Sequence, residues 1–125
     1  MAIRILHTGD LHIGNFPGPE KNGENARYLD ICKCLDALVE GAREQKPGIA
    51  VIAGDIFHQA RVWSDRGLKE QQTAVKFLRE LSAICPVVVM RGTPNHDSEQ
   101  QFEMLKTAFE GNGEVKIITE PQVVE

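Results

Sequence analysis

The sequence is short of most features that assign a protein quickly. Its three cysteines, Cys32, Cys34 and Cys85, form no C-x-x-C pair, and their odd number argues against a closed disulfide framework. Cys32 and Cys85 fall at expected core positions and Cys34 at an expected surface position, all as reduced thiols. Positive charge is not in excess: the formal net charge is −4, with acids and bases interspersed. Such a chain is no passive electrostatic sleeve for DNA, so any phosphate chemistry needs a local source of positive charge, and a bound metal would supply it. No apolar run approaches the roughly 18 residues of a membrane span, and Met1-Ala2-Ile3-Arg4 leads straight into a strand-like run with no signal-peptide pattern. The expected setting is cytoplasmic, away from membranes. There is no G-x-G-x-x-G after the first strand and no P-loop lysine, which removes the nucleotide-binding readings of an α/β pattern. There is one tryptophan, Trp63, and no repeat, low-complexity tract or interdomain linker.

What is present is a regular alternation. The chain has 125 residues, 42% apolar and 26% charged, enough for one domain with a real core. Ile3 to His7 reads as a strand, followed by a Gly/Pro/Asn-rich loop from Gly14 to Gly23. From Tyr28, apolar residues at Ile31, Cys32, Leu35, Leu38, Val39 and Ala42 follow helical spacing, and Pro47-Gly48 stops the helix. Ile49 to Ala53 is a continuous apolar run, expected as a strand buried on both faces. A second helix is predicted over about Asp65 to Ile84, and another buried strand over Pro86 to Met90. Ser98 and Gln101 form a capping-box signature opening a third helix, and Val115 to Ile118 is the last strand. The fold class is therefore α/β, β-α-β-α-β-α-β with a parallel-type sheet, where ligand sites lie beyond the carboxyl ends of the strands.

Those ends carry the informative residues. Gly9-Asp10-Leu11-His12 follows the first strand, Gly54-Asp55-Ile56-Phe57-His58 the second, and Arg91-Gly92-Thr93-Pro94-Asn95-His96-Asp97 the third. A lone D-x-H, a lone G-D turn or a lone N-H-D before a helix means little. Three of them at one sheet edge suit a metal centre. Mixed carboxylate and imidazole donors fit manganese, iron or zinc. Asp10 and His12, two residues apart on an extended segment, would point the same way and share an ion. Asp55 is suited to bridging two ions and the Asn95 amide oxygen to ligating the second, which would clamp a phosphodiester for in-line attack by water. His96 is placed to act as general acid, with Asp97 holding its tautomer. His7 is expected to be a structural residue within the first strand. Trp63 suits either a base-stacking role or a loop anchor, and Arg61, Arg66 and Arg91 either phosphate contacts or ordinary surface pairs.

Asp10-Leu11-His12, Gly54-Asp55 with His58 three residues on, and Asn95-His96-Asp97 resemble, in order, the first three motifs of the calcineurin-like metallophosphoesterases. The wording of "GDLHIG", "GDIFHQARVWS" and "NHDS" is similar to the DNA-repair nucleases of the SbcD type, which act on double-strand breaks. The resemblance spans essentially the whole chain. It implies two divalent metals, manganese first, with iron, zinc and magnesium as alternatives. Asp10 and His12 would hold the first, Asp55 would bridge, and Asn95 would hold the second. His96, backed by Asp97, would act as acid or transition-state stabiliser, and His58 would contact the scissile phosphate or assist His96. It also implies DNA as substrate, an SbcC-type ATPase with a long coiled coil as partner, and dimerisation. Two departures stand out. Thr93 and Pro94 separate Gly92 from Asn95, where the family runs Gly-Asn-His. No histidine follows His96, where the family has further histidine ligands and a second sheet. The expectation is that residues 1–125 form the N-terminal part of such a domain, truncated or split, with an exposed apolar face open to association and little activity by itself. The alternatives are a metallophosphoesterase acting on nucleotides or small phosphodiesters, and a metal-free binding module.

Overall fold

The computed structural model describes residues 2–60 and 65–123. Arg61 and Trp63 lie outside the described residues, as does the side chain of Arg66. The described residues form, in chain order, β1 (Ile5–Thr8), β2 (Glu20–Lys21), β3 (Glu24–Asn25), α1 (Ala26–Gln45), β4 (Ile49–Ala53), α2 (Asp65–Ser82), β5 (Val87–Met90), α3 (Glu99–Ala108) and β6 (Val115–Ile118). Strands β1, β4, β5 and β6 form one parallel sheet in that order, and β2 and β3 make a small antiparallel hairpin.

Local chemistry sets the element ends. The Asn25 side chain accepts the Tyr28 N–H to cap α1 and also exchanges hydrogen bonds with the Phe16 backbone. At the other end Lys46 takes a left-handed conformation, its N–H returns to Ala42, and Pro47 forbids continuation. The Ser98–Gln101 capping box opens α3 as predicted. Within α2, Ala74, Phe77, Leu78 and Leu81 make the buried stripe.

The strand order is sequential, so every right-handed crossover steps the same way and lays its helix on the same face of the sheet. Ala50, Ile52, Val87, Val89 and Val115 point into that helical layer and are buried. The residues that alternate with them along the strands, Ile5 and His7 on β1, Val51 on β4, Val88 and Met90 on β5 and Lys116 on β6, point the other way. Among the described residues nothing covers that second face, and Ile5 is 63% exposed. The expectation that β4 and β5 are buried on both faces is thus corrected: their burial alternates residue by residue. His7 lies in β1 but is exposed on the open face. Cys32 is half-buried, Cys34 exposed and Cys85 buried, all as free thiols. Among the described residues no helix is long and apolar enough to cross a membrane.

Candidate metal centre

The loops beyond β1 and β4 are held by apolar anchors placed directly beside the polar residues. Ile13, Ile56 and Phe57 are fully or almost fully buried, one or two positions after His12 and Asp55. The β1 and β4 loops also keep pairing past the ends of their strands. Asp10 N–H bonds to the Gly54 carbonyl at 3.1 Å, His12 N–H to Asp55 at 3.0 Å, Ile13 N–H to Ile56 at 2.9 Å and His58 N–H to Ile13 at 3.0 Å. This pairing bends the backbone. Asp10, His12 and Asp55 have φ of 52°, 48° and 49°, in the left-handed region that L-residues with side chains seldom occupy. The expectation of an extended Asp10–His12 segment is therefore corrected: each is turned by its own left-handed residue, imposed by the neighbouring loop. Strained backbone gathered on three polar residues at one spot is a mark of a working site.

The side chains converge as the sequence suggests. One ligand atom each from Asp10, His12 and Asp55 lies within 4.8 Å of the others, and the same holds for His12, His58 and His96. His12 belongs to both groups. Two carboxylates with one imidazole fit a divalent metal ion, and nothing in the first group needs to move far to take one. Asp55 has a second set of partners: Oδ1 accepts the Thr93 N–H at 2.8 Å and the Thr93 hydroxyl at 3.0 Å. The backbone donor of Thr93, assisted by its hydroxyl and by the nearby His96 and His12, holds the Asp55 carboxyl below its ordinary range, so it stays a carboxylate. The extra Thr93 in the third loop thus serves the second loop. Gly92 makes room for this: a Cβ there would lie 2.2 Å from the Asp55 nitrogen.

The third loop turns on the Thr93 carbonyl, which accepts N–H groups from both His96 and Asp97. Asp97 is fully buried, and its carboxylate accepts from the N–H groups of Ile56, Phe57 and Gly92 at 3.2, 3.0 and 2.8 Å. It clamps the β4 loop to the β5 loop. The expected hold of Asp97 on the His96 tautomer is corrected, because its oxygens are committed to backbone donors. The His96 ring is set instead by the His58 carbonyl, 2.6 Å from Nδ1. A carbonyl can only accept, so Nδ1 carries hydrogen and Nε2 faces the site with its lone pair or a second proton. Asn95 is exposed in this loop, its carbonyl accepting the Ala60 N–H. Arg91 donates from Nε to the Asp97 carbonyl at 2.8 Å, which ties its side chain to the third loop.

His58 packs face to face on Phe16, with ring centroids 3.9 Å apart, and the Arg27 guanidinium covers the Phe16 ring at 4.4 Å. Gly14 permits the approach, since a Cβ there would meet the His58 Cβ at 2.7 Å. Phe16 carried no motif signal, and only its position between Gly14 and the Pro17-Gly18-Pro19 turn hinted at a fixed loop. A groove of about 450 Å³, lined by Arg4, Leu6, Leu38 and Gly41 among others, opens at the amino end of β1 and contains none of these residues.

Carboxylate and imidazole donors at the carboxyl edge of a parallel sheet are the means of metal-dependent phosphoester hydrolysis. The calcineurin-like phosphoesterase family profile matches residues 3–121, from before β1 to beyond β6. The match takes in every loop of the metal centre at once, and on that ground the chain belongs to the calcineurin-like phosphoesterase family.

Proposed function

We propose that this chain is the metal-binding part of a DNA exo- and endonuclease of the SbcD type, acting in the cytoplasm on double-strand breaks. The observation that carries the reading is the convergence of Asp10, His12 and Asp55 beside His96, with strained backbone at the three metal-facing residues. The DNA assignment is supported by the "GDLHIG", "GDIFHQARVWS" and "NHDS" wording. Asp10, His12 and Asp55 would hold the first divalent ion, manganese by preference, and Asp55 with Asn95 would contribute to a second. The metals supply Lewis acidity and a water of lowered pKa.

The chain's own residues do the rest. The His12 backbone N–H donates to the Asp55 backbone carbonyl, so the first and second loops cannot separate without losing the donor set. The Thr93 donors keep Asp55 ionised and fix which of its oxygens remains open to an ion. His96, with Nδ1–H anchored on the His58 carbonyl, gives the Nε2 proton to the leaving oxygen and returns to a neutral tautomer without moving its anchor. His58, flat against Phe16, walls the site beside the phosphate. The partners proposed are DNA, an SbcC-like ATPase, and a second protein surface or copy against the bare sheet face.

The test is a calorimetric manganese titration followed by cleavage assays on linear duplex DNA and on bis(p-nitrophenyl) phosphate. One manganese per chain, with weak DNA cleavage abolished in His96→Ala, is expected, because Asp10, His12 and Asp55 are the carboxylate–imidazole group that gathers among the described residues. Cleavage of the small diester with none of DNA would establish the general phosphodiesterase alternative. Absence of manganese binding would overturn the metal-dependent reading.

A further inference from the structure

We propose that His12, His58 and His96 form a second metal site, selective for zinc-like ions, that competes with the manganese site for His12. Its consequence for activity rests on the phosphodiesterase reading above; its existence does not.

The three imidazoles come from three different loops and gather at one spot, the His12 ring set edgewise to both His58 and His96 and the latter two nearly parallel. Ring centroids lie 4.5 Å apart for His12–His96, 5.9 Å for His12–His58 and 6.1 Å for His58–His96. One ring nitrogen of each lies within 4.8 Å of the other two. A tetrahedral zinc ion at 2.0–2.1 Å from each nitrogen needs them about 3.3 Å apart, so the rings need close by no more than roughly 1.5 Å. The His96 tautomer suits the task. The hydrogen on His96 Nδ1 is fixed on the His58 carbonyl, which leaves Nε2 as the donor, and a ligating imidazole is commonly fixed through its other nitrogen in this way. The His58 ring stacks on Phe16 with Gly14 behind it, and the His12 backbone is tied to the Asp55 carbonyl, so both rings start beside the site. Three imidazoles with an open fourth position are a zinc donor set.

The neighbouring group differs in kind. Asp10, His12 and Asp55 offer mostly oxygen, which favours manganese and magnesium, whereas an all-nitrogen set favours zinc, copper and nickel. One ring, His12, cannot serve both. Zinc at the three-histidine site withdraws a ligand from the manganese group and blocks the His96 Nε2 that would protonate the leaving oxygen. The identity of the available metal thus decides whether the acid is free.

The experiment uses the whole 125-residue chain with zinc or manganese alone. Zinc-edge X-ray absorption at one equivalent should show three imidazoles, and calorimetry should show zinc affinity falling at least tenfold in His58→Ala with manganese affinity kept within twofold. Asp10→Asn should do the reverse. Zinc ligated by a single imidazole with carboxylate oxygens, or zinc affinity that follows Asp10→Asn and ignores His58→Ala, would overturn the proposal, as would no zinc binding at micromolar concentration. Should His58→Ala fail to fold, the absorption spectrum of the unaltered chain decides alone. Loss of nuclease activity in every assay, with the three-imidazole spectrum present, would remove the functional reading and leave this site standing.

Discussion

The clearest structural commitment in the site is the buried carboxylate of Asp97. It accepts three backbone N–H groups, two from the β4 loop and one from the β5 loop, and is wholly shielded from water. In Asp97→Ala those three donors lose a charged acceptor. A hydrogen bond to a charged group contributes about 1.5–3 kcal/mol. Three would sum to roughly 4.5–9 kcal/mol, and water entering the vacated space should recover part of this, so about 4 kcal/mol is expected. That is a large share of the roughly 5–15 kcal/mol that stabilises a domain. At a urea slope of about 2 kcal/mol/M the midpoint should fall by about 2 M. The assay is urea unfolding followed by circular dichroism, with a chelator present so that metal linkage does not enter. Asp97→Asn, which keeps one acceptor oxygen but turns an amide N–H toward a backbone N–H, should lose about half as much. A midpoint shift below about 0.5 M for Asp97→Ala, at an unchanged slope, would refute the clamp. A tautomer-holding role predicts that opposite pattern: near-normal stability with lost catalysis.

Four further outcomes follow from the same geometry. Gly92→Ala drives a Cβ to 2.2 Å from the Asp55 nitrogen, so it should cost about 2 kcal/mol and weaken manganese binding at least tenfold, by calorimetry. The lowered Asp55 carboxyl contributes stability that is fully present above its unfolded value near 3.8 and is lost as pH falls through the lower folded value. Asp55→Asn should therefore flatten the acid limb of a metal-free stability profile below about pH 4. Ser98→Ala removes the α3 capping box and should cost about 1 kcal/mol in thermal or urea unfolding. Val88→Lys, on the open sheet face, should cost less than about 1 kcal/mol while reducing dye binding and self-association in sedimentation; a loss several times larger would mean that the face is covered.

Much of this fold can be read directly from the chain because its signals are strong and local. The helical spacing from Tyr28, the Ser98–Gln101 box and the apolar runs of β4 to β6 each have one sensible solution. The β2–β3 hairpin was hidden because strands of two residues, Glu20–Lys21 and Glu24–Asn25, show no alternation. The Asn22-Gly23 pair between them, both with positive φ, held the only signal. One-sided burial was hidden as well, since an all-apolar strand looks the same whether or not its second face is covered. At the site, residue types and strand ends located the donors. The left-handed turns at Asp10 and His12 were not legible, because they come from hydrogen bonds to Gly54 and Asp55, more than forty positions away. Asp97 looked like a partner for the adjacent His96 for the same reason: its true partners, Ile56 and Phe57, are distant in sequence and near only in the fold.

The sequential strand order has a further consequence, for how the molecule assembles in time. The order β1, β4, β5, β6 is also the order of synthesis, so each strand needs only its predecessor and the sheet grows at one edge. Every donor of the metal centre precedes α3, so the loops carrying them can all be in place before α3 and β6 are made. The last helix and strand then act as a late seal on the β5 edge. In hydrogen exchange β6 should open first, ahead of the other edge strand β1, whose pairing with β4 continues through the Asp10, His12 and Ile13 N–H bonds, and β4 and β5, each between two neighbours, should open last. The centre would then stay assembled while the far edge of the sheet frays.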